Sequence, residues 1–276
     1  MSDKIVCKNF DYFITSRCTL NCKLCSNYIP YIPHPFHTPK ETAFREMKEF
    51  FQIWDYADRI ELIGGEPLFH PDFFEILEES LKYESQFGKI RITTNGTIIP
   101  SEKIFSLIRE TDKRIEFLVD DYGPQLSKNL SQIIAKCDEY DIPYRVDTYH
   151  GDSQYSNGWI YFGDCKTDLG YSDEKLAQVF HRCVVPKEHF VMVNNGKAFY
   201  CDYPMAMYQV TGNLPTNGGY IDLFDDSIPL EKKRDMARHL WEGPFSSCRY
   251  CTGFDIENAK RYPAAEQLPR RCVQEG

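Results

Sequence analysis

Cys18, Cys22 and Cys25 form a C-x3-C-x2-C run, the spacing in this chain that carries the most chemistry. They follow an apolar segment, Asp11 to Arg17, that reads as a strand, so all three sit on one loop. A cube of four irons takes four thiolates, and a loop offering three leaves one iron open for a reacting ligand. A structural zinc site competes for such thiols, but zinc modules normally pair two C-x2-C units within one small module. The chain has 11 cysteines, an odd number. In a reducing compartment that count favours metal ligation or reactive thiols over disulfides.

A second cysteine set lies toward the end of the sequence. Cys183 and Cys201 bracket a hairpin signature, Phe190 to Asn194 and Lys197 to Cys201 around Asn195-Gly196, and Cys248 and Cys251 form a C-x2-C. Four thiolates would saturate a cube, leaving it to move electrons; a zinc staple or a purely structural cluster is the other use of the same ligands. Of the remaining cysteines, Cys7 and Cys137 read as buried apolar residues, and Cys272 has no evident role. Cys165 stands between Asp164 and Lys166, where the lysine could favour a thiolate or the thiol could donate a hydrogen atom.

The elements that must position these loops alternate. Strand patterns at Asp11 to Arg17, Arg59 to Ile63, Ile90 to Thr94, Ile115 to Val119 and Tyr144 to Tyr149 are separated by helical spacing. That spacing shows in Phe44, Met47, Phe50, Phe51 and Trp54, in Phe73, Ile76, Leu77 and Leu81, and in Ile104, Leu107 and Ile108. Pro39 precedes the first helix, Pro71 is expected to begin the second, and Gly88 to stop it. Repeated βα units imply an α/β fold of parallel strands, as a partial barrel or an open sheet, with ligands at the carboxyl ends of the strands. After residue 150 the βα rhythm stops. Helices are expected at Ser172 to His181 and Leu230 to Trp241, and the division falls into residues 1–165 and a smaller α+β unit, 166–276.

Composition bounds the partners. At 276 residues and 42% hydrophobic, the chain can bury a full core, and its formal net charge of -9 disfavours nucleic acid. A small-molecule substrate fits better. No signal-like segment opens the chain and no uncharged 18-residue run occurs, so the expectation is a cytoplasmic protein without a membrane partner.

Cys18-Thr-Leu-Asn-Cys22-Lys-Leu-Cys25 after the first strand resembles the cluster loop of radical S-adenosylmethionine enzymes. Gly64-Gly65-Glu66-Pro67 ends the second strand and is similar to that family's GGEP motif; Thr93-Thr94-Asn95-Gly96 ends the third, at the place of the segment near the ribose and methionine carboxylate. The resemblance implies a partial (β/α) barrel of five or six parallel strands. It implies a [4Fe-4S] cluster on Cys18, Cys22 and Cys25, S-adenosyl-L-methionine held by Gly64, Gly65, Glu66, Pro67, Thr94 and Asn95, and a 5'-deoxyadenosyl radical that abstracts hydrogen. It also implies a flavodoxin or ferredoxin-type electron donor. Leu24 stands where the family often has an aromatic residue facing the adenine through its backbone, and Tyr28 or Phe36 could supply an aromatic face instead.

Cys183, Cys201, Cys248 and Cys251 resemble the ligands of a twitch domain, the short relative of the SPASM domain, which holds an auxiliary [4Fe-4S] cluster. The 2-deoxy-scyllo-inosamine dehydrogenase type of that class is similar in length, and there the auxiliary cluster accepts an electron from the substrate radical. The implied function is an oxidoreductase acting on a carbinol of a sugar, aminocyclitol or sugar nucleotide. A base near the barrel mouth is then required, with Asp120, Asp121, Arg145, Asp147 and His150 as candidates. The rivals are an epimerase using a cysteine hydrogen donor, a peptide-modifying radical enzyme, and a non-catalytic iron–sulfur carrier. The few residues before the first strand lower the peptide reading.

Overall fold

A computed structural model describes residues 4–112 and 114–269; Cys272 lies outside them. The first strand, β1 (Val6–Thr15), buries Phe10, Tyr12 and Ile14 on one face. They pack on α1 (Lys40–Ile53), where Phe10 stacks on Phe50 with ring centroids 3.8 Å apart and Phe50 on Trp54 at 4.5 Å. The βα rhythm then continues through β2 (Tyr56–Gly64), α2 (Phe73–Leu81), β3 (Phe87–Thr94), α3 (Glu102–Arg109), β4 (Ile115–Asp121), α4 (Leu130–Glu139) and β5 (Tyr144–Thr148). Each of these strands pairs in parallel with its neighbour.

The other sheet face is polar low down. Asp11, Glu61, Arg91 and Glu116 stand side by side in register across four strands. Arg59 bonds Glu61 at 2.9 Å, and Arg91 reaches Glu116 at 2.6 Å.

After α5 (Ser153–Ser156), β6 (Trp159–Ile160) and α6 (Asp173–Arg182), the chain returns to the same sheet. Ser172 caps α6 by accepting from the Lys175 N–H. Strand β7 (Phe190–Asn194) lies parallel to β1, with Asp11 opposite Met192. The expected hairpin then turns at Asn195 and Gly196, both at positive φ, into β8 (Lys197–Phe199). The order is β5-β4-β3-β2-β1-β7-β8 followed by β9 (Tyr220–Asp222), six parallel strands with two antiparallel ones at the edge. The fold is α/β with a partial-barrel sheet, as expected, and strands from both sides of the 165/166 division share it.

Four details differ from the sequence reading. Pro71 precedes Asp72, the N-cap of α2, and so lies outside the helix. Gly88 does not stop that helix; it lies in β3, where a Cβ would come within 2.5 Å of the Asp58 carbonyl oxygen. Helix α7 (Asp202–Thr211) and β9 had no clear signature, because a proline in the first turn and a three-residue strand leave little periodicity. Helix α8 (Leu230–Arg238) ends before Trp241, whose indole N–H instead donates to the Phe190 carbonyl at 2.8 Å.

The last described residues return to the first cysteine loop. Strand β10 (Arg261–Tyr262) pairs with β6, and the segment after it lies along the cysteine loop. Lys23 N–H bonds the Glu266 carbonyl and Leu268 N–H the Asn21 carbonyl, each at 2.8 Å. No helix among the described residues is long and apolar enough to cross a membrane.

Candidate active site

The three-cysteine loop is held against the tip of β2. Gly65 N–H bonds the Thr15 carbonyl at 2.7 Å and Glu66 N–H the Arg17 carbonyl at 2.9 Å, extending the ladder into the loop. The approach requires glycine: a Cβ on Gly64 would lie 2.2 Å from the Thr15 oxygen, and one on Gly65 2.3 Å from the Arg17 oxygen and 2.8 Å from Cys18 Cβ. Asn27 adds a bond from Nδ2 to the Gly64 carbonyl at 2.9 Å.

Cys18, Cys22 and Cys25 line a cavity of about 420 Å³, together with Gly64, Gly65, Thr94 and Asn95. Burial, opposed by the Leu20 N–H and helped by the Glu66 and Cys25 charges, pushes the Cys18 thiol up to about 12. Burial and then Cys25 also raise Cys22. All three are unpaired thiols. Asn95 Nδ2 lies 3.5 Å from Cys18 Sγ, so the tip of β3 reaches the same loop.

Glu66 does not face the cavity. It is fully buried, Oε1 accepting from Leu68 N–H at 3.2 Å and Thr94 Oγ1 at 2.9 Å, and Oε2 from Asn95 N–H at 2.9 Å. Burial pushes it up to about 7 against these three donors. Its carboxylate thus ties the β2 tip to the β3 tip. Pro67 is buried beside it. Leu24 lies on another wall, over a smaller pocket with Lys23 and Tyr31.

Nor do Tyr28 and Phe36 offer the cavity a ring. Tyr28 is buried with its hydroxyl on the Gly163 carbonyl at 2.8 Å, and Phe36 packs on Phe13. Tyr122, Tyr149, Trp159, Phe162 and Phe254 supply the aromatic wall.

The second cysteine set opens on the same space. Cys183, Cys201 and Cys251 line it; Cys248 lies behind, its Sγ 2.9 Å from the Tyr200 hydroxyl. The secondary structure places each at an element end. Cys183 caps the C-terminus of α6, Cys201 is the N-cap of α7, and Cys248 and Cys251 belong to a 3-10 turn, Ser246–Tyr250, and its end. Burial first, and the charges of Asp202, Cys183, Cys248 and Cys251 after it, hold Cys201 well above the usual thiol range.

Among the described residues no three His, Cys, Asp or Glu side chains are arranged to hold a single metal ion. Thiols that are unpaired, buried or half-buried, and within electrostatic reach of one another suit a group of cluster size.

Of the base candidates, Asp120 lines the cavity. Tyr122 donates to its Oδ2 at 3.1 Å, and burial pushes it up to about 7. Asp121 is turned to His150 and the Gly123 N–H, and Arg145 is bonded to Asp147 at 2.8 Å. Cys165 is off the cavity wall, buried behind Tyr28 and Tyr203, and burial pushes it up to about 12; Lys166 is too weak an influence to make it a thiolate.

Two residues escaped the sequence reading. Asp11 lines the cavity from the polar face of β1, and a charged residue inside an apolar strand was its signal. Gln267, which donates to Cys22 Sγ at 3.1 Å, had none, since 245 residues separate the two.

Similarity to known proteins agrees with this geometry. Residues 12–140 match the model of the Radical SAM superfamily. The chain is 30% identical over 125 residues to the GTP 3',8-cyclase of Aquifex aeolicus (strain VF5), covering 42% of this chain and 36% of that one. It is 28% identical over 129 residues to GTP 3',8-cyclase 1 of Mycobacterium tuberculosis (strain CDC 1551 / Oshkosh), covering 43% and 34%. The match therefore spans about a third of those curated relatives. The structure of BtrN in complex with AdoMet and 2-DOIA superposes with a TM-score of 0.56 at 17% identity, over 94% of this chain and 98% of that one, which shows a shared fold. The cysteine loop and the GGEP turn both lie within the matched residues 12–140, which are just under half of the chain.

Proposed function

We propose that this chain is a radical S-adenosylmethionine oxidoreductase that removes hydrogen from a carbinol of a small polar substrate, working in the cytoplasm with a flavodoxin or ferredoxin-type donor. The observation that supports it is a single cavity lined by Cys18, Cys22 and Cys25 on one side and Cys183, Cys201 and Cys251 on the other. Reagents bound between them share one cavity.

When bound, a [4Fe-4S] cluster on the first set and S-adenosyl-L-methionine supply the 5'-deoxyadenosyl radical. The chain does the rest. Gly64, Gly65, Thr94 and Asn95 present the strand tips to the methionine end, and Glu66 keeps the two tips in register. Tyr122, Tyr149 and Trp159 exclude water. A carbinol losing a hydrogen atom must also lose a proton and one electron to become a ketone. Asp120 Oδ1, left without a protein partner among the described residues, takes the proton. Cys183, Cys201, Cys248 and Cys251 would hold an auxiliary [4Fe-4S] cluster, which would supply an acceptor for the electron.

The test is anaerobic incubation of reconstituted protein with S-adenosyl-L-methionine and dithionite, with 5'-deoxyadenosine and methionine expected. Their absence from a fully iron-loaded preparation would instead identify a carrier. Turnover in deuterated water separates the redox outcomes, because an epimerase places deuterium at the reacting carbon and a dehydrogenase yields a ketone with none. The position of Cys165 off the cavity wall favours the dehydrogenase. The similarity to GTP cyclases covers 36% of the Aquifex aeolicus relative and does not carry its substrate to this chain.

A further inference from the structure

Away from the shared cavity, two further pockets meet at Tyr161, which lines both. One, of about 300 Å³, has Cys25 in its wall together with Tyr31 and Lys166. The other, of about 360 Å³, is lined by Lys175, Arg182 and Lys260, with Thr252 and Gly253 between them and the second cysteine set. Gly253 N–H donates to Cys251 Sγ at 3.3 Å, and the next N–H, of Phe254, to Cys183 Sγ at 3.4 Å. Thr252 Oγ1 donates to the Tyr161 carbonyl at 2.9 Å and joins this wall to the first pocket. Both cysteine sets therefore back onto one outer face.

That face is positive on a chain of formal net charge -9. Lys166, Lys175, Arg182 and Lys260 are exposed, and none of them forms an ion pair among the described residues. The carboxylates in the two pockets are engaged by their own turns. Asp164 accepts the Lys166 and Thr167 N–H groups, and Asp255 accepts those of Glu257 and Asn258. Single exposed lysines need no explanation, but a group of cations set against the net charge makes a local field that steers an acidic partner. Apolar surface lies among them: Tyr31 is 39% exposed, Tyr161 44% and Ile256 55%. Charges that steer and an apolar centre that seats are the make-up of a transient docking surface.

We propose that this face docks an acidic one-electron carrier of the flavodoxin type, its exposed flavin edge on Tyr31 and Tyr161 and its carboxylates on Lys166, Lys175, Arg182 and Lys260. This rests on the radical oxidoreductase reading above. The flavin hydroquinone gives up one electron and becomes the semiquinone, and the electron enters the chain beside Cys25. The two tyrosines favour a flavin over an iron–sulfur carrier, because a flat ring stacks on an aromatic side chain.

The test measures binding of purified oxidised flavodoxin to the iron-loaded holoprotein by calorimetry. Raising salt from about 20 to about 300 mM is expected to weaken binding about tenfold. Lys166→Glu, Lys175→Glu and Lys260→Glu should each weaken low-salt binding about fivefold and flatten its salt dependence, while Lys48→Glu on α1, with the same change in net charge, stays within about twofold. Arg182 is left in place because it adjoins Cys183. Lys→Gln at the same three positions should act in the same direction and replaces any charge reversal that fails to fold. Reduction of the bound iron by flavodoxin hydroquinone should slow in these variants, and reduction by dithionite, which needs no docked protein, should not.

The proposal is overturned if binding ignores salt, if Lys48→Glu weakens it as much, or if the variants slow dithionite and flavodoxin alike. Tighter binding of a ferredoxin than of flavodoxin also overturns it. Cleavage of S-adenosyl-L-methionine by wild-type protein with dithionite separates the two levels. If cleavage proceeds while flavodoxin binding ignores the cations, the docking proposal alone falls. If loaded protein cleaves none with either reductant, the oxidoreductase reading falls.

Discussion

Gln267 donates from Nε2 to Cys22 Sγ at 3.1 Å while its Oε1 accepts the Asn21 N–H at 2.8 Å. Both ends of the amide are used, so the end of the described chain grips the N-terminal cysteine loop. A donor to a ligating sulfur stabilises negative charge on it and orients the ligand. Gln267→Ala is expected to speed loss of iron from the N-terminal site, with metal affinity about tenfold lower, and to move its reduction potential negative. Chelator challenge and a redox titration followed by electron paramagnetic resonance measure the two effects. An unchanged potential would contradict the assignment.

Glu66 accepts three protein donors and offers none a substitute. Glu66→Gln turns an N–H₂ toward a donor and leaves a buried N–H or hydroxyl unpaired, at a cost of about 1–3 kcal/mol. Chemical denaturation should show that loss. S-adenosyl-L-methionine binding should weaken with it, since Thr94 and Asn95 lose their anchor.

Glu46 is raised to about 7 as well, by burial, but for the opposite hydrogen-bonding need. The Tyr12 hydroxyl lies 2.9 Å from the Ala43 carbonyl and 2.8 Å from Glu46 Oε2, and its single proton serves one of them. A protonated Glu46 donates to Tyr12, which then donates to Ala43, while Glu46 Oε1 accepts Gly196 N–H at 2.6 Å. Because the folded state holds the proton more tightly than the unfolded chain, this contribution is fully present below about 4.5 and is lost as pH rises toward about 7. Glu46→Gln preserves the neutral pattern. It is expected to raise stability at pH 8, by on the order of 3 kcal/mol at most, and to flatten the pH profile of the unfolding midpoint. A variant less stable than wild type at pH 8 would refute this.

Gly65→Ala forces a Cβ to within 2.3 Å of the Arg17 carbonyl oxygen and 2.8 Å of Cys18 Cβ, so the cysteine loop must move away from β2. The sheet itself is unaffected. Circular dichroism should stay near wild type, while bound iron falls by roughly half, the share of the N-terminal cluster in the two-cluster reading proposed above. Cys18→Ala with Cys22→Ala should give the same iron count, and Cys183→Ala with Cys201→Ala should remove the other half.

Cys165→Ala is expected to leave turnover within about twofold of wild type, because the thiol lies behind Tyr28 and Tyr203 and off the cavity wall. Its removal costs packing and the thiol's hydrogen bonds with Tyr203 and Tyr28, about 1–2 kcal/mol. A loss of turnover without a loss of stability would restore this thiol as a hydrogen donor.

Local pattern made much of this protein legible. Ladders and helix faces repeat every few residues, so β1 to β5 and their helices showed in the spacing of residues such as Met47, Phe50 and Trp54. Loop chemistry was legible for the same reason, since Cys18, Cys22 and Cys25 lie within eight residues and Gly64 to Pro67 are contiguous. Tertiary structure alone decided what meets across long separations. It set β7 beside β1, aimed Asp11 and Asp120 into one cavity from strands far apart in the chain, turned Glu66 away from that cavity to brace Asn95, and laid Gln267 on Cys22. Such contacts follow from setting strands far apart in the sequence side by side in one sheet, and no spacing within a single segment encodes them.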